Sequence, residues 1–375
     1  MIRILLLPFS LLFGIITFVR NKLYDWKIIP SLQYDDIFVI SIGNITVGGT
    51  GKTPFVEYLL RMLSQYCLGV AVLSHGYKRT TKGFRFVDGN LTPCETGDES
   101  YQIKRKFPEI VVAVDDNKVN GIAQIRNAFP DIKIILLDDA FQYRRIRPNM
   151  SILLTDFNRP MFRDSMLPGG RLREWSCFAK RADIMVITKS PANITTDEQQ
   201  KIKQHYDSIF PSEPFFTTIG YGEPQAMFKN TKPLSTADIK QYDVLLVTGI
   251  ANPKPFEAYI RQHAASVQTI AFPDHHSFTE KNVKSISKKM LSNETPNPKP
   301  QTQILITTEK DAVRLQQMKI PEALAKYSYY VPIEVKFVTK PVQQFWDSIY
   351  IRARELSLQG FQECRHHLSH TLLEV

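Results

Sequence analysis

Between residues 46 and 53 the chain reads Thr46-Val47-Gly48-Gly49-Thr50-Gly51-Lys52-Thr53, its most specific chemical signal. Three glycines let backbone amides converge on phosphate oxygens, Lys52 reaches the outer phosphates, and the Thr53 hydroxyl can ligate magnesium. The usual Gly-x4-Gly-Lys-Ser/Thr pattern is broken only at Thr46. An incidental glycine-rich turn is the bland alternative, and the position between a buried-strand pattern and an amphipathic one speaks against it. A second signal is Asp138-Asp139, which closes the apolar run IKIILL and precedes Ala-Phe-Gln142. A carboxylate at the carboxyl end of a buried strand beside such a loop is where a magnesium ion or an attacking group needs an acid. Either aspartate alone could equally be a turn or helix cap.

Two further constellations are weaker when read locally. In Phe272-Pro-Asp-His275-His-Ser-Phe278 two histidines follow an aspartate. Adjacent side chains diverge and no third ligand lies nearby, so a catalytic or substrate-contacting histidine fits better than a zinc site. Gly97-Asp98-Glu99 sets two acids before a helical stretch, where most acids serve as caps.

The elements that must position these residues alternate short apolar runs with amphipathic stretches. IFVISI, VAVLS, IVVAV, IKIILL, SILLT and DIMVIT are continuous rather than alternating, as strands buried on both faces of a mainly parallel sheet are. Between the first two runs, Phe55, Leu59, Leu60, Met62 and Leu63 recur at helical spacing. The expected fold is α/β: a P-loop NTPase-like, mainly parallel sheet flanked by helices, with a second, smaller α/β domain and an N-terminal membrane-associated helix. The expected boundaries are that helix at 1–22, the phosphate-binding domain at 23–195, a polar and proline-containing linker region at 196–240, the second α/β domain at 241–350, and a C-terminal helix or tail at 351–375.

From Ile4 to Val19 every residue is uncharged and most are apolar. Sixteen residues at ~1.5 Å rise span about 24 Å, short of a hydrocarbon layer of roughly 30 Å, and Pro8 and Gly14 weaken a simple span further. The chain continues VRNKLYDWK, which lacks the small residues of a cleavage site. Three placements remain: a helix in the bilayer interface with Arg20, Lys22, Trp26 and Lys27 at the headgroups, a short tilted span, or a buried core helix. The flanking bases favour the interface. So does the excess of 47 Lys and Arg over 37 Asp and Glu, a net charge of +10 that suits an anionic cytoplasmic leaflet. No zinc-type cysteine pair, aromatic RNA-binding signature or arginine-rich arm supports a nucleic-acid partner. Four scattered cysteines suggest neither a disulfide framework nor a metal cluster and fit a reducing cytoplasmic setting.

Eight segments in fixed order resemble the bacterial tetraacyldisaccharide 4'-kinase family: SIGNITVGGTGKTP (41–54), LSHGYKR (73–79), GDES (97–100), LLDDAFQYR (136–144), LPGGRLREW (167–175), VTGIANPKPF (247–256), FPDHHSF (272–278) and TTEKDAVRL (307–315). The resemblance implies transfer of the ATP γ-phosphate to the 4'-hydroxyl of tetraacyldisaccharide 1-phosphate. The product is lipid IVA, made at the cytoplasmic face of the inner membrane with Mg2+ as cofactor. It further implies that Asp98 is the catalytic base and His275 its partner. Lys52, Thr53, Asp138, Asp139, Gln142 and Glu174 would surround nucleotide and metal, with Glu99 and Arg173 alongside. Asp98 and His275 fall in different expected domains, so their pairing would require a cleft to close. The sequence departs from the family at His75, where arginine is usual, at Ser100, where proline is usual, and at Gly169 and Arg171. Two alternatives stand against this reading. One is a membrane-associated P-loop ATPase or GTPase switch, although the guanine-reading Asn-Lys-x-Asp motif is missing. The other is a soluble small-molecule kinase whose N-terminus is a core helix.

Overall fold

The continuous apolar runs form buried parallel strands. The computed structural model describes residues 5–65, 69–274, 276–291, 303–338 and 342–355. The chain divides into two units, Met1–Ile219 with Val335–Val375, and Gly220–Glu334. The first contains α1 (Leu7–Asp25), β1 (Phe38–Gly43), α2 (Lys52–Ser64), β2 (Gly69–Ser74), β3 (Arg85–Phe86), α3 (Pro93–Thr96), α4 (Asp98–Lys106), β4 (Val111–Val114), α5 (Lys118–Ala128), β5 (Ile132–Asp138), β6 (Met150–Asp156), β7 (Ile184–Thr188), α6 (Thr196–Tyr206) and β8 (Phe215–Tyr221). The second holds β9 (Gln225–Ala226), β10 (Asp243–Thr248), α7 (Lys254–His263), β11 (Ser266–Ala271), α8 (Glu280–Leu291), β12 (Gln303–Thr308), α9 (Glu309–Leu315), α10 (Glu322–Ala325) and β13 (Ser328–Val331). The chain then runs through β14 (Ile333–Phe337) to α11 (Val342–Arg354) in the first unit.

The larger sheet has the order β14-β8-β7-β6-β1-β5-β2-β4-β3, with β1 pairing in parallel with both β5 and β6. Burial on both faces explains the unbroken apolar sequence of β1. Phe38, Ile40 and Ile42 face the apolar side of α2 and, from α11, Phe345, Trp346 and Ile349, whereas Val39 faces Ile122 and Ile125 of α5. The smaller sheet, β11-β10-β12-β13-β9, is parallel except for β9. Leu245 and Val247 of β10 serve one core of that unit, Val244 and Leu246 the other.

Two boundaries differ from the expected ones. The stretch 196–240 is not a plain linker: it contains α6, opened by a Thr195–Glu198 capping box, and β8, which pairs in parallel with β7. The helix at 342–354 belongs to the first core rather than to the second domain. Its aromatic residues meet α2, where Phe345 packs edge-on to Phe55 and the Trp346 indole donates to the Tyr58 hydroxyl at 3.1 Å.

α1 inverts the usual burial pattern. Its buried residues are Ser10, Gly14, Asn21 and Tyr24, while Leu7, Leu11, Leu12, Ile15 and Ile16 are each more than half exposed. A core helix is therefore excluded for this segment. No helix among the described residues is long and apolar enough to cross a membrane.

Candidate active site

β1 runs into residues 44–51 at the carboxyl edge of the sheet, beside the end of β5, where sites in such sheets form. Gly48 and Gly51 adopt φ of 115° and 83°, open to glycine and strained for other residues. A Cβ added at Gly48 or Gly49 would meet nothing within 4 Å, so the loop offers bare backbone on an open side. α2 starts behind it at Lys52, and its N-terminus adds positive potential. The segment after Ser165 braces the loop. Thr46 bridges to Leu172, and the Val47 amide donates to the Arg171 carbonyl at 2.8 Å. On the other flank Thr188 Oγ1 donates to the Thr50 carbonyl at 2.8 Å, and Lys189 Nζ donates to the Gly49 carbonyl.

Lys52 Nζ donates to Asn44 Oδ1 at 3.1 Å and lies 3.7 Å from Asp139 Oδ1. Asp139 accepts from both terminal nitrogens of Arg173, at 2.9 and 3.2 Å. Burial raises its pKa, but Lys52 and Arg173 outweigh that and hold the carboxyl below its ordinary value. Asp138 behaves oppositely. It is only 6% exposed, and its Oδ1 has no hydrogen-bond partner. Burial, then the charge of Asp139, pushes it up to about 6. Lys118 Nζ donates to the Asp138 carbonyl at 3.2 Å, and burial depresses this ammonium to about 8.

Gln142 Nε2 donates to the Asn44 carbonyl at 2.8 Å and to Glu174 Oε1 at 3.0 Å. Arg173 donates to Gln142 Oε1 at 3.2 Å. Glu174 also accepts from Asn21 Nδ2 at 2.7 Å and from Arg181 on both oxygens, each at 3.0 Å. Thr53, Asp138, Asp139 and Glu174, the expected metal ligands, differ in their surroundings. Both oxygens of Asp139 and of Glu174 hold N–H donors, whereas Asp138 keeps a buried oxygen without one. Asp138 and the half-buried Thr53 therefore fit a magnesium ion. Asp139 and Glu174 instead orient cationic side chains. Among the described residues no group of three or more His, Cys, Asp or Glu gathers as a metal cluster.

Asp98 opens α4 directly after Gly97, whose φ is 85° and whose added Cβ would lie 3.1 Å from the Gly76 carbonyl carbon. The loop carrying His75 and Tyr77 is thus pressed against the turn that aims Asp98. Glu99 adds its charge to that acting on Asp138, so both signals share one field. His75 is 60% exposed and its Nε2 lies 3.8 Å from Asp116 Oδ1.

In the second unit His275 lies outside the described residues. Its neighbour His276 is committed structurally: the ring stacks on Phe272 at 4.4 Å, and Nε2 lies 3.1 Å from Asn282 Oδ1. Asp311, fully buried, accepts from the Gly249 amide at 2.8 Å and the Thr308 hydroxyl at 2.7 Å, tying together the loops that follow β10 and β12. Sequence reasoning missed Asn44, Lys118, Lys189, Arg181 and Asn21. Asn44 lies within a quoted segment, and Lys118 follows a strand in Asp-Asp-Asn-Lys, but no spacing rule marks either.

A glycine-rich loop cradled at the central strand of a parallel sheet, with a lysine at the following helix start and a buried acid closing the next strand, defines a P-loop nucleotide-binding protein. Comparison with known proteins narrows this. The family model for tetraacyldisaccharide-1-P 4'-kinase matches residues 2–350. The tetraacyldisaccharide 4'-kinase of Phocaeicola vulgatus is 40% identical over 353 residues, covering 92% of this chain and 94% of that protein. That of Flavobacterium johnsoniae is also 40% identical, over 338 residues, covering 90% and 94%. A crystal structure of LpxK from Aquifex aeolicus in complex with ATP matches with a TM-score of 0.72 at 26% identity, covering 94% of this chain and 99% of that one. The chain belongs to the tetraacyldisaccharide-1-phosphate 4'-kinase family. It is a kinase, and ATP is its nucleotide.

Proposed function

We propose that this chain transfers the γ-phosphate of ATP to the 4'-hydroxyl of tetraacyldisaccharide 1-phosphate, giving lipid IVA, at the cytoplasmic face of the inner membrane. The observation that carries the reading is the family match over residues 2–350, which spans α1, the phosphate loop and the acid pair. The amides of residues 48–51 and Lys52 hold the outer phosphates. Thr53 and Asp138 would hold a Mg2+ ion, which would supply charge neutralisation on the phosphate oxygens. Asp139 keeps Arg173 and Lys52 in place, and Glu174 does the same for Gln142 and Arg181. Asp98 accepts the proton of the sugar hydroxyl, and His275 supports it. α1 lies in the bilayer interface with its exposed leucines and isoleucines in the acyl layer, which brings a lipid acceptor to the site.

The test is incubation of the full chain with ATP, magnesium and tetraacyldisaccharide 1-phosphate in detergent, with products read by mass. A lipid product one phosphate heavier is expected. ATP hydrolysis with no lipid product would establish the ATPase-switch alternative instead. At residue level, Asp98→Ala should lower kcat by ~10² to 10⁴-fold, as for loss of a general base. Adding His275→Ala should deepen that loss little if the two act as one unit. Losses that multiply would separate their roles.

A further inference from the structure

Away from the phosphate loop, a cavity of about 820 Å³ opens on the first unit between the segment following α1 and the loop at 140–149. Its lining includes the hydroxyl-bearing Ser41 and Ser151, both buried in the sheet. Five cations, Lys27, Arg144, Arg147, Arg181 and Arg352, line it against three carboxylates, Asp25, Asp183 and Glu355. Arg144 pairs with Asp25, and Arg352 with Asp183 and Glu355. Among the described residues Lys27 and Arg147 pair with none. Two lining residues carry buried atoms lacking any hydrogen-bond partner, Ser41 Oγ and Arg181 Nη1. Burial, and then the Arg181 charge beside it, holds Arg144 below its ordinary value.

The wall of this cavity is two-faced. Lys27, Ile29, Ser31 and Gln33 line it, while Trp26, Ile28 and Leu32 are 66%, 65% and 45% exposed to the outside. Lys27 takes a φ of 60° at the end of α1, a position where glycine is less strained. The chain thus spends backbone strain on a cation at the cavity wall. A polar, cationic cavity bordered by an exposed aromatic and aliphatic strip that follows α1 in the chain matches an amphiphile with an anionic head.

We propose that this cavity is a second ligand site, separate from the nucleotide loop, that takes the phosphate headgroup of an anionic bilayer phospholipid while its acyl chains cover Trp26, Ile28 and Leu32. The reading of α1 as an interfacial helix supplies only the source of the ligand. The test is flotation of the full chain with phosphatidylcholine vesicles, with and without phosphatidylglycerol. Wild type should bind both and prefer phosphatidylglycerol. Lys27→Ala with Arg147→Ala should keep phosphatidylcholine binding and detergent kinase activity but lose the preference, by roughly 5-fold per cation removed. Lys133→Ala with Lys201→Ala, two exposed lysines outside the cavity, should leave the preference within about two-fold; an equal loss there would reassign it to diffuse charge and overturn the proposal. Soluble glycerol 3-phosphate or inorganic phosphate should compete saturably with the wild type only. A preference retained by the Lys27/Arg147 variant would overturn the site. So would a raised KM for the lipid acceptor in phospholipid-free detergent, which would give the cavity to the substrate. Failure of wild type to bind phosphatidylcholine would strike the α1 reading alone.

Discussion

Helices α1 and α2 both touch the phosphate-binding machinery, yet they are built with opposite polarity. α2 buries Phe55, Val56, Leu59, Leu60 and Leu63 against the sheet and gives the site its first residue, Lys52. α1 buries Ser10, Gly14 and Asn21 and leaves its leucines outside. The difference lies in what each helix meets. α2 lies on an apolar sheet face, where area alone holds it. α1 meets the segment at 167–175, where, besides Phe18 on Phe178, directed hydrogen bonds hold it. Gly169 N donates to Ser10 Oγ at 2.9 Å, the Trp175 indole donates to the Gly14 carbonyl at 2.9 Å, and Asn21 donates to Glu174 at 2.7 Å. Helix amphipathicity therefore reports the neighbouring medium, and α1 turns its leucines and isoleucines away from the protein.

The largest effect tests whether α2 acts through chemistry as well as packing. Lys52→Ala removes a charge at the outer phosphates and no core volume, so turnover should fall by ~10²-fold or more with the melting temperature unchanged. Unaltered turnover in a folded variant would reduce α2 to a packing element. Next comes Leu60→Ala, at a fully buried position of the same helix. It should destabilise the fold by about 2–5 kcal/mol, read from chemical denaturation. A loss under about 1 kcal/mol would mean that area does not hold α2.

Gly14→Val probes the docking of α1. A Cβ there would come within 2.7 Å of the Trp175 ring, so the helix must shift off the 167–175 segment. A loss of about 1–3 kcal/mol is expected, together with lower kinase activity, because Trp175 directly follows the Glu174 that Asn21 holds. Full activity and stability would show that α1 docks loosely and that its hydrogen bonds to the site are dispensable.

The β1, loop and α2 sequence was legible because three levels agree there: a continuous apolar run, glycines where backbone must bend, and a helical stripe. The acid pair was legible as a pair. How the two differ was not, because which carboxylate is occupied depends on Arg173 and Lys52, residues distant in sequence. α6 was hidden for another reason. It buries only Tyr206, so no apolar stripe reveals it, and its one signal was the Thr195–Glu198 capping box inside a stretch that reads as loop. α11 carries Phe345, Trp346 and Ile349 at helical spacing, but such spacing does not name the sheet it covers, and the chain passes through the whole second unit before returning. The inversion of α1 was half visible: the apolar run was plain, but only structure shows that Ser10, Gly14 and Asn21 form the docking face.

The smallest effect on the fold should come from the outer face of α1, where Leu12 and Ile16 are 58% and 57% exposed. In a core helix, replacing both by alanine would remove several kcal/mol of stability. Here the side chains already face solvent in the isolated chain, so the double variant should unfold within about 0.5 kcal/mol of wild type. Detergent activity should also be retained, since neither residue touches the site. The cost should instead appear at a bilayer. Each truncation removes about three carbons from the acyl layer, and at ~0.8 kcal/mol per buried CH2 the pair should lower vesicle partitioning by well over ten-fold. Measured side by side, denaturation and vesicle flotation separate the two media. Equal vesicle binding by the variant, or a stability loss like that of Leu60→Ala, would place the apolar face of α1 against protein and end the contrast between the two helices.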